Sequence, residues 1–229
     1  IIRAGAGVNT IDVEAASARG VYVATCPGKN AAAVAELTMA HILALDRRLV
    51  DATTALRSGR WEKSTFQVAR GLLGRRLGVA GCGSIGRLVL DRARAFGMQL
   101  FGWSRSLTDA RAQALGVTRC ATLQDLAATS DVLSIHLPLT DQTRGIVSRD
   151  VLAAMPPGAI VVNTSRAEVL DYEALAELVR SRGMRAGLDV LPEEPKSGSA
   201  DCDAGIFADG VVYGTPHIGA STDQAQEAI

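Results

Sequence analysis

The chain has 229 residues, 24 basic against 24 acidic side chains, a formal net charge of zero and a hydrophobic fraction of 48%. That length buries a sizeable core in one large or two small domains, and the balanced charge leaves no electrostatic footprint for nucleic acid or an acidic membrane surface. No apolar run reaches the length a bilayer-spanning helix needs, so no membrane span is expected.

In chain order, residues 1–29 predict a strand, a short helix over 12–19 ended by Gly20, and a strand over 21–24 that stops before Pro27. That is too little to bury its own core, so these residues are expected to belong to a separate unit whose remainder is missing. Residues 31–50 predict one long helix rich in Ala and Leu. The apolar run 77–80 leads into Gly81-Cys82-Gly83-Ser84-Ile85-Gly86 and then a helix over 87–96. Strand, glycine turn and helix in this order are what a dinucleotide-binding unit requires. Gly81 permits the tight turn, Gly83 lets the backbone approach a pyrophosphate, and Gly86 lets helix and strand pack closely. The helix N-terminus meets the phosphate charge.

Further strands are predicted over 98–103, after the helix-capping Gly97, over 132–136, closed by Pro138, and over 159–163, after Pro156-Pro157-Gly158. An amphipathic helix over 171–180 and strands over 185–190 and 211–213 follow. Residues 193–205, rich in Pro, Gly, Ser, Asp and Glu, read as a surface loop. Alternating strands and helices predict an α/β fold, a doubly wound parallel sheet covered by helices. The cysteines Cys26, Cys82, Cys120 and Cys202 form no C-x-x-C pair and no zinc spacing with His41, His136 or His217. They read as isolated reduced thiols in a cytoplasmic protein with no metal site. A thiol modifier at Cys82, inside the glycine loop, would be expected to block that loop. No signal peptide is visible, and a start at Ile1 without methionine reads as a fragment.

Three ionisable residues follow predicted strands: Arg166 in Asn163-Thr164-Ser165-Arg166, Glu194 in the segment from Asp189 to Pro195, and His217 in Thr215-Pro216-His217-Ile218-Gly219. Open α/β sheets bind ligands at the carboxyl ends of their strands, so these loops can converge. Histidine is the acid–base suited to neutral pH, a carboxylate beside it fixes its orientation, and an arginine fork grips a carboxylate at two points. The set suits reduction of a 2-keto acid or oxidation of a 2-hydroxy acid. Taken singly, each has a plainer reading as a loop histidine, an acidic turn or a solvated arginine.

With these motifs, together with Arg3-Ala4-Gly5-Ala6-Gly7-Val8-Asn9, Val34-Ala35-Glu36, His136-Leu137-Pro138-Leu139-Thr140 and Gly187-Leu188-Asp189-Val190, the chain resembles the D-isomer-specific 2-hydroxyacid dehydrogenases, and within them the phosphoglycerate branch. The resemblance implies a Rossmann-type cofactor lobe over residues 30–218. It also implies a truncated flavodoxin-like substrate lobe, of which residues 1–29 end the first segment and 219–229 begin the return. It implies Arg166, Glu194 and His217 as the catalytic set, NAD(P) as cofactor, a small 2-keto or 2-hydroxy acid as substrate, and a homodimer. Gly81, Gly83, Ser84, Ile85, Gly86, Ser104, Arg105, His136, Pro138 and Thr143 would border the cofactor. So would Thr164, Ser165, Arg166, Asp189, His217 and Gly219, with Asp189 on the nicotinamide carboxamide. Arg3, Gly5 and Arg166 would meet the substrate.

The sequence departs from that family at two places. Where NAD users carry an aspartate after the second strand, Ser104, Arg105 and Ser106 stand, which leaves Arg105 to pair with a 2′-phosphate and predicts acceptance of NADPH. The alternative is a solvated Arg105, with Ser104 tolerating either cofactor; this stretch also resembles NADPH-linked glyoxylate and hydroxypyruvate reductases. Ala167 follows Arg166 where the family has glycine, and would be strained if the loop needs positive φ there. Two other classes fit the same residues: a non-catalytic NAD(H)-sensing co-repressor-like protein, and a cofactor lobe inert by itself.

Overall fold

A computed structural model describes residues 1–3, 5, 7–8, 11–195, 199–201, 205–209 and 211–228. Residues 196–198 and 202–204 of the expected loop over 193–205, Cys202 among them, and Ala4, Ala6 and Asn9 of the first motif lie outside the described residues. The chain opens with β1 (Ile2–Arg3), α1 (Val13–Ala18) and β2 (Ala24–Thr25), and β1 and β2 form a separate parallel pair. Asp12 caps α1 by accepting from the Ala15 N–H at 2.8 Å. The strand predicted over 21–24 is displaced. Only Ala24 and Thr25 pair in strand register, with Ile2 and Arg3, and the Tyr22 side chain projects into solvent.

Helices α2 (Ala31–Arg47), α3 (Leu49–Arg57) and α4 (Lys63–Phe66) follow. The single helix predicted over 31–50 is broken at Arg48, whose backbone is left-handed at φ 51°. Its guanidinium is pinned by Asp51 at 3.0 Å and lies 4.9 Å from the Phe66 ring centroid, which holds the turn against its steric cost.

The main sheet is built from β3 (Arg76–Ala80), β4 (Gln99–Trp103), β5 (Thr118–Arg119), β6 (Val132–Ile135), β7 (Ile160–Asn163), β8 (Arg185–Leu188) and β9 (Val212–Gly214). Between them run α5 (Ser84–Ala95), α6 (Asp109–Leu115), α7 (Leu123–Thr129), α8 (Arg149–Ala154) and α9 (Tyr172–Arg182), and α10 (Asp223–Ala228) closes the described chain. The order is β5-β4-β3-β6-β7-β8-β9 and every pairing is parallel. The predicted doubly wound sheet is therefore present, with β5 and α6 to α8 added to it.

The central strands Val132–Ile135 and Ile160–Asn163 are buried throughout, as strands covered on both faces must be. Leu133, Ile135 and Val161 enter one core with Leu126, Leu152 and Met155, while Val132, Ile160 and Val162 enter the other with Ile42, Leu45 and Leu90. Each such side chain contributes about 1.5–3 kcal/mol by leaving water.

The amino ends of β3 and β6 are clamped by charge. Arg76 grips Asp131 at 3.0 and 3.1 Å, and the Arg76 N–H donates to the same carboxylate at 3.0 Å. The Arg76 hydrogen bond holds the Asp131 carboxyl down at about 2. Arg75 pairs with buried Asp46 at 2.8 Å. No helix among the described residues is long and apolar enough to cross a membrane.

Candidate active site

Because all seven strands run parallel, the loops that follow them leave from one edge of the sheet. That edge carries Gly81 to Gly86 after β3, Ser104 and Arg105 after β4, and His136, Pro138 and Thr143 after β6. It also carries Thr164 to Arg166 after β7, Asp189 and Glu194 after β8, and His217 and Gly219 after β9. Strand order reverses between β3 and β6, so the glycine turn and His136 flank the crevice where such sheets take ligands. Arg3 and Gly5 lie at the end of β1 in the separate pair, and no hydrogen bond or ion pair among the described residues joins them to Arg166, Glu194 or His217.

Gly81 is required twice over. Its φ is +100°, and a Cβ there would stand 2.4 Å from the His136 carbonyl oxygen. Gly86 admits no Cβ either, since it would meet the Gly81 oxygen at 2.1 Å. Gly83 differs: its φ is −78° and a Cβ would meet nothing within 4 Å. It precedes α5, whose N-terminus has no side-chain cap and no acid in its first turn. Helix amide groups facing open space without a competing carboxylate fit a dinucleotide pyrophosphate.

Beside this turn the His136 ring is enclosed. Its Nε2 lies 2.8 Å from Ser134 Oγ, its Nδ1 is shielded from solvent and has no hydrogen-bond partner among the described residues, and burial pushes the ring down to about 3. Cys82 is not the reactive thiol expected of an accessible loop, because it is buried and pushed up to about 11 by that burial. Arg105 is exposed, and its guanidinium donates to the Gln142 side-chain oxygen. Thr143 Oγ1 donates to the Pro138 carbonyl at 2.6 Å and shapes the loop behind Gln142.

After β7, Asn163 Oδ1 accepts from the Ser165 N–H at 3.0 Å and from its hydroxyl at 2.8 Å, while Asn163 Nδ2 donates to the Arg166 carbonyl at 2.9 Å. This side-chain-closed turn presents Arg166. Ala167 opens a short 3-10 turn with Glu168 and Val169, and the feared positive φ does not arise there.

After β8, Glu194 bridges two elements. Its Oε1 accepts from the Leu191 N–H at 3.1 Å and its Oε2 lies 2.6 Å from His217 Nδ1. Tyr172 Oη donates to the Val190 carbonyl and anchors the start of that loop, and burial raises its pKa well above the usual phenol range. His217 sits in left-handed backbone at φ 53°.

Asp189, expected at the nicotinamide carboxamide, holds the His217 turn. Its buried carboxylate accepts from Thr215 Oγ1 at 2.6 Å and from the Ile218 and Gly219 N–H groups at 2.9 Å each. The roles of Asn163, Tyr172, Gln142 and Thr215 emerge from the folded contacts. Only Asn163, two residues before Ser165, carries a local signal for its turn.

An all-parallel sheet in this order, with a glycine turn at its reversal and a His–Glu pair at its carboxyl edge, defines a doubly wound nucleotide-binding α/β protein. A sequence model of the D-isomer specific 2-hydroxyacid dehydrogenase family, NAD binding domain, matches residues 39–219, and the chain belongs to that family. It is 40% identical over 227 residues to a D-3-phosphoglycerate dehydrogenase of Methanocaldococcus jannaschii, covering 99% of this chain and 42% of that protein. It is 40% identical over 230 residues to a hydroxypyruvate reductase of Thermotoga maritima, covering 100% of this chain and 73% of the relative. A solved D-isomer specific 2-hydroxyacid dehydrogenase from Polaromonas superposes with a TM-score of 0.88 at 34% identity, covering 100% of this chain and 70% of that one. The chain thus spans less than half the length of the phosphoglycerate dehydrogenase it matches.

Proposed function

We propose that this chain is the cofactor-binding part of an oxidoreductase that moves a hydride between NAD(P) and a D-2-hydroxy acid or its 2-keto acid. The observation that carries the reading is the 2.6 Å contact of His217 Nδ1 with Glu194, on the sheet edge that also bears the glycine turn. Bound nicotinamide supplies or accepts the hydride. Glu194 takes the Nδ1 proton side of His217, which leaves Nε2 to deliver a proton to the carbonyl oxygen or remove it from the hydroxyl. Arg166 spends one N–H on the Ser165 carbonyl at 2.6 Å and keeps the rest of its fork for the substrate carboxylate.

Residues 30–218 form the cofactor lobe in this proposal, 1–29 the end of one substrate-lobe segment and 219–229 the start of its return. The substrate we propose is 3-phosphoglycerate, with Arg3 near its phosphate, in serine biosynthesis. Arg105 supports a second reading, an NADPH-linked glyoxylate or hydroxypyruvate reductase. Cys82 and Cys120, buried and outside any disulfide among the described residues, support a reducing, cytoplasmic setting. The exposed apolar side chains Leu49, Val50, Leu56, Trp61, Val68 and Leu73 along one stretch of chain support a homodimer in this proposal.

Titrating the purified chain with NADH and with NADPH, read by nicotinamide fluorescence, tests the cofactor lobe. In the intact protein, His217→Ala is expected to abolish turnover of 2-keto acids while cofactor binding persists. Full turnover in that variant removes His217 from the proposed role.

A further inference from the structure

Helix α2 underlies the site. Two side chains three residues apart on its buried face reach the loops above: Thr38 Oγ1 lies 2.9 Å from Thr164 Oγ1, and His41 Nε2 lies 3.2 Å from Thr215 Oγ1. The Thr215 hydroxyl has one proton, and it goes to Asp189 Oδ1 at 2.6 Å. Toward His41 that oxygen can only accept, so His41 Nε2 must carry hydrogen. Burial holds the His41 ring below its ordinary range against the opposing pull of Asp189, which makes the neutral, Nε2-protonated ring its resting form near pH 7. Gly187 on β8 makes room for this side chain, since a Cβ there would stand 2.8 Å from the His41 Cβ.

Asp189, oriented from one side by Thr215, collects the next turn. Its carbonyl accepts the His217 N–H at 2.9 Å, and its carboxylate accepts from Ile218 and Gly219. A histidine at φ 53° keeps that strained backbone only while its surroundings hold it.

We propose that His41 is a positioning residue for His217: its Nε2–H donates to Thr215, Thr215 donates to Asp189, and Asp189 holds the left-handed turn that presents His217 to the crevice. The role in chemistry rests on the function proposed above, but the chain of contacts is testable without turnover.

The amides of His217, Ile218 and Gly219 all donate to Asp189, so their hydrogen exchange reads the turn directly. In the purified chain, His41→Leu is expected to accelerate exchange at all three by about 5-fold, the equivalent of one ordinary hydrogen bond. His41→Gln, whose amide N–H reaches a similar distance, is expected to restore the native rate. With three histidines in the sequence, ring nitrogen spectra are expected to show His41 neutral and protonated at Nε2. Unchanged exchange in a folded His41→Leu, equal acceleration in both variants, or an Nδ1-protonated His41 would overturn the proposal.

Should His41→Leu fail to fold, Thr215→Val cuts the same chain from the other side and must accelerate the same amides; native rates there would overturn it equally. In the active protein, His41→Leu is expected to lower kcat about 5-fold at unchanged KM, with recovery in His41→Gln. A protein that turns over no 2-keto acid removes the proposed function, while the exchange rates still decide His41.

Discussion

Substituting Gly83 and Gly81 separates ligand space from backbone need. At Gly83 the native φ of −78° suits alanine and the added Cβ meets nothing within 4 Å. Alanine gains about 0.4–1 kcal/mol from a stiffer unfolded chain and loses a comparable amount as a poorer helix cap, so Gly83→Ala should leave stability within about 0.5 kcal/mol. The new methyl nevertheless occupies the space through which a pyrophosphate would approach the α5 amides. Losing one charge-assisted hydrogen bond costs about 1.5–3 kcal/mol, or ~10- to 100-fold in affinity.

Gly81→Ala must place a Cβ at φ +100° and 2.4 Å from the His136 oxygen. Left-handed strain of about 1–2 kcal/mol and a backbone clash of about 1–3 kcal/mol should destabilise it by about 2–5 kcal/mol. Urea unfolding with NADH and NADPH titration of both variants measures the two quantities. A Gly83→Ala protein of native stability that binds either dinucleotide as tightly as the parent would refute the assignment of this turn to the pyrophosphate.

The clamp at the other end of the sheet gives an acid signature. Asp131 is held at about 2, below its ordinary 3.8, so its contribution is full above pH 4 and lost as pH falls through 2. After allowance for the part-exposed Arg76, that contribution is about 1–2 kcal/mol; unfolding free energies of the parent and Asp131→Asn should converge by that amount between pH 5 and 2, and parallel curves would contradict the clamp. Arg105→Ala should weaken NADPH by ~10-fold or more and leave NADH unchanged if the guanidinium leaves Gln142 for a 2′-phosphate. Equal effects on both cofactors in the same titration would speak for the solvated alternative.

The sheet was legible because its strands are short, continuous apolar runs, and the glycine turn because Gly81 and Gly86 are dictated by backbone proximity that a local motif encodes. Arg166, Glu194 and His217 could be picked out from their positions after strands, and the structure joins the last two directly. The break at Arg48 was not legible, since part of what holds it is Phe66, well beyond the helix, and the nearby Asp51 reads as an ordinary helix acid. Nor was β5, whose two residues are too few for a periodic signal. The donors to Asp189 were not legible either, because they come from a loop 26 to 30 residues further on. His41 reads as one more core position of α2, because its partner Thr215 is 174 residues away.

The parallel sheet puts its two charged assemblies at opposite rims: Asp131 and its arginines below, His217 and Glu194 above. A helix or strand cannot tilt to trade one against the other without unpicking the cores between them. The clamp on the lower rim is therefore adjustable by itself, so evolution or an engineer could harden this protein against acid without moving the His217–Glu194 pair on the upper one.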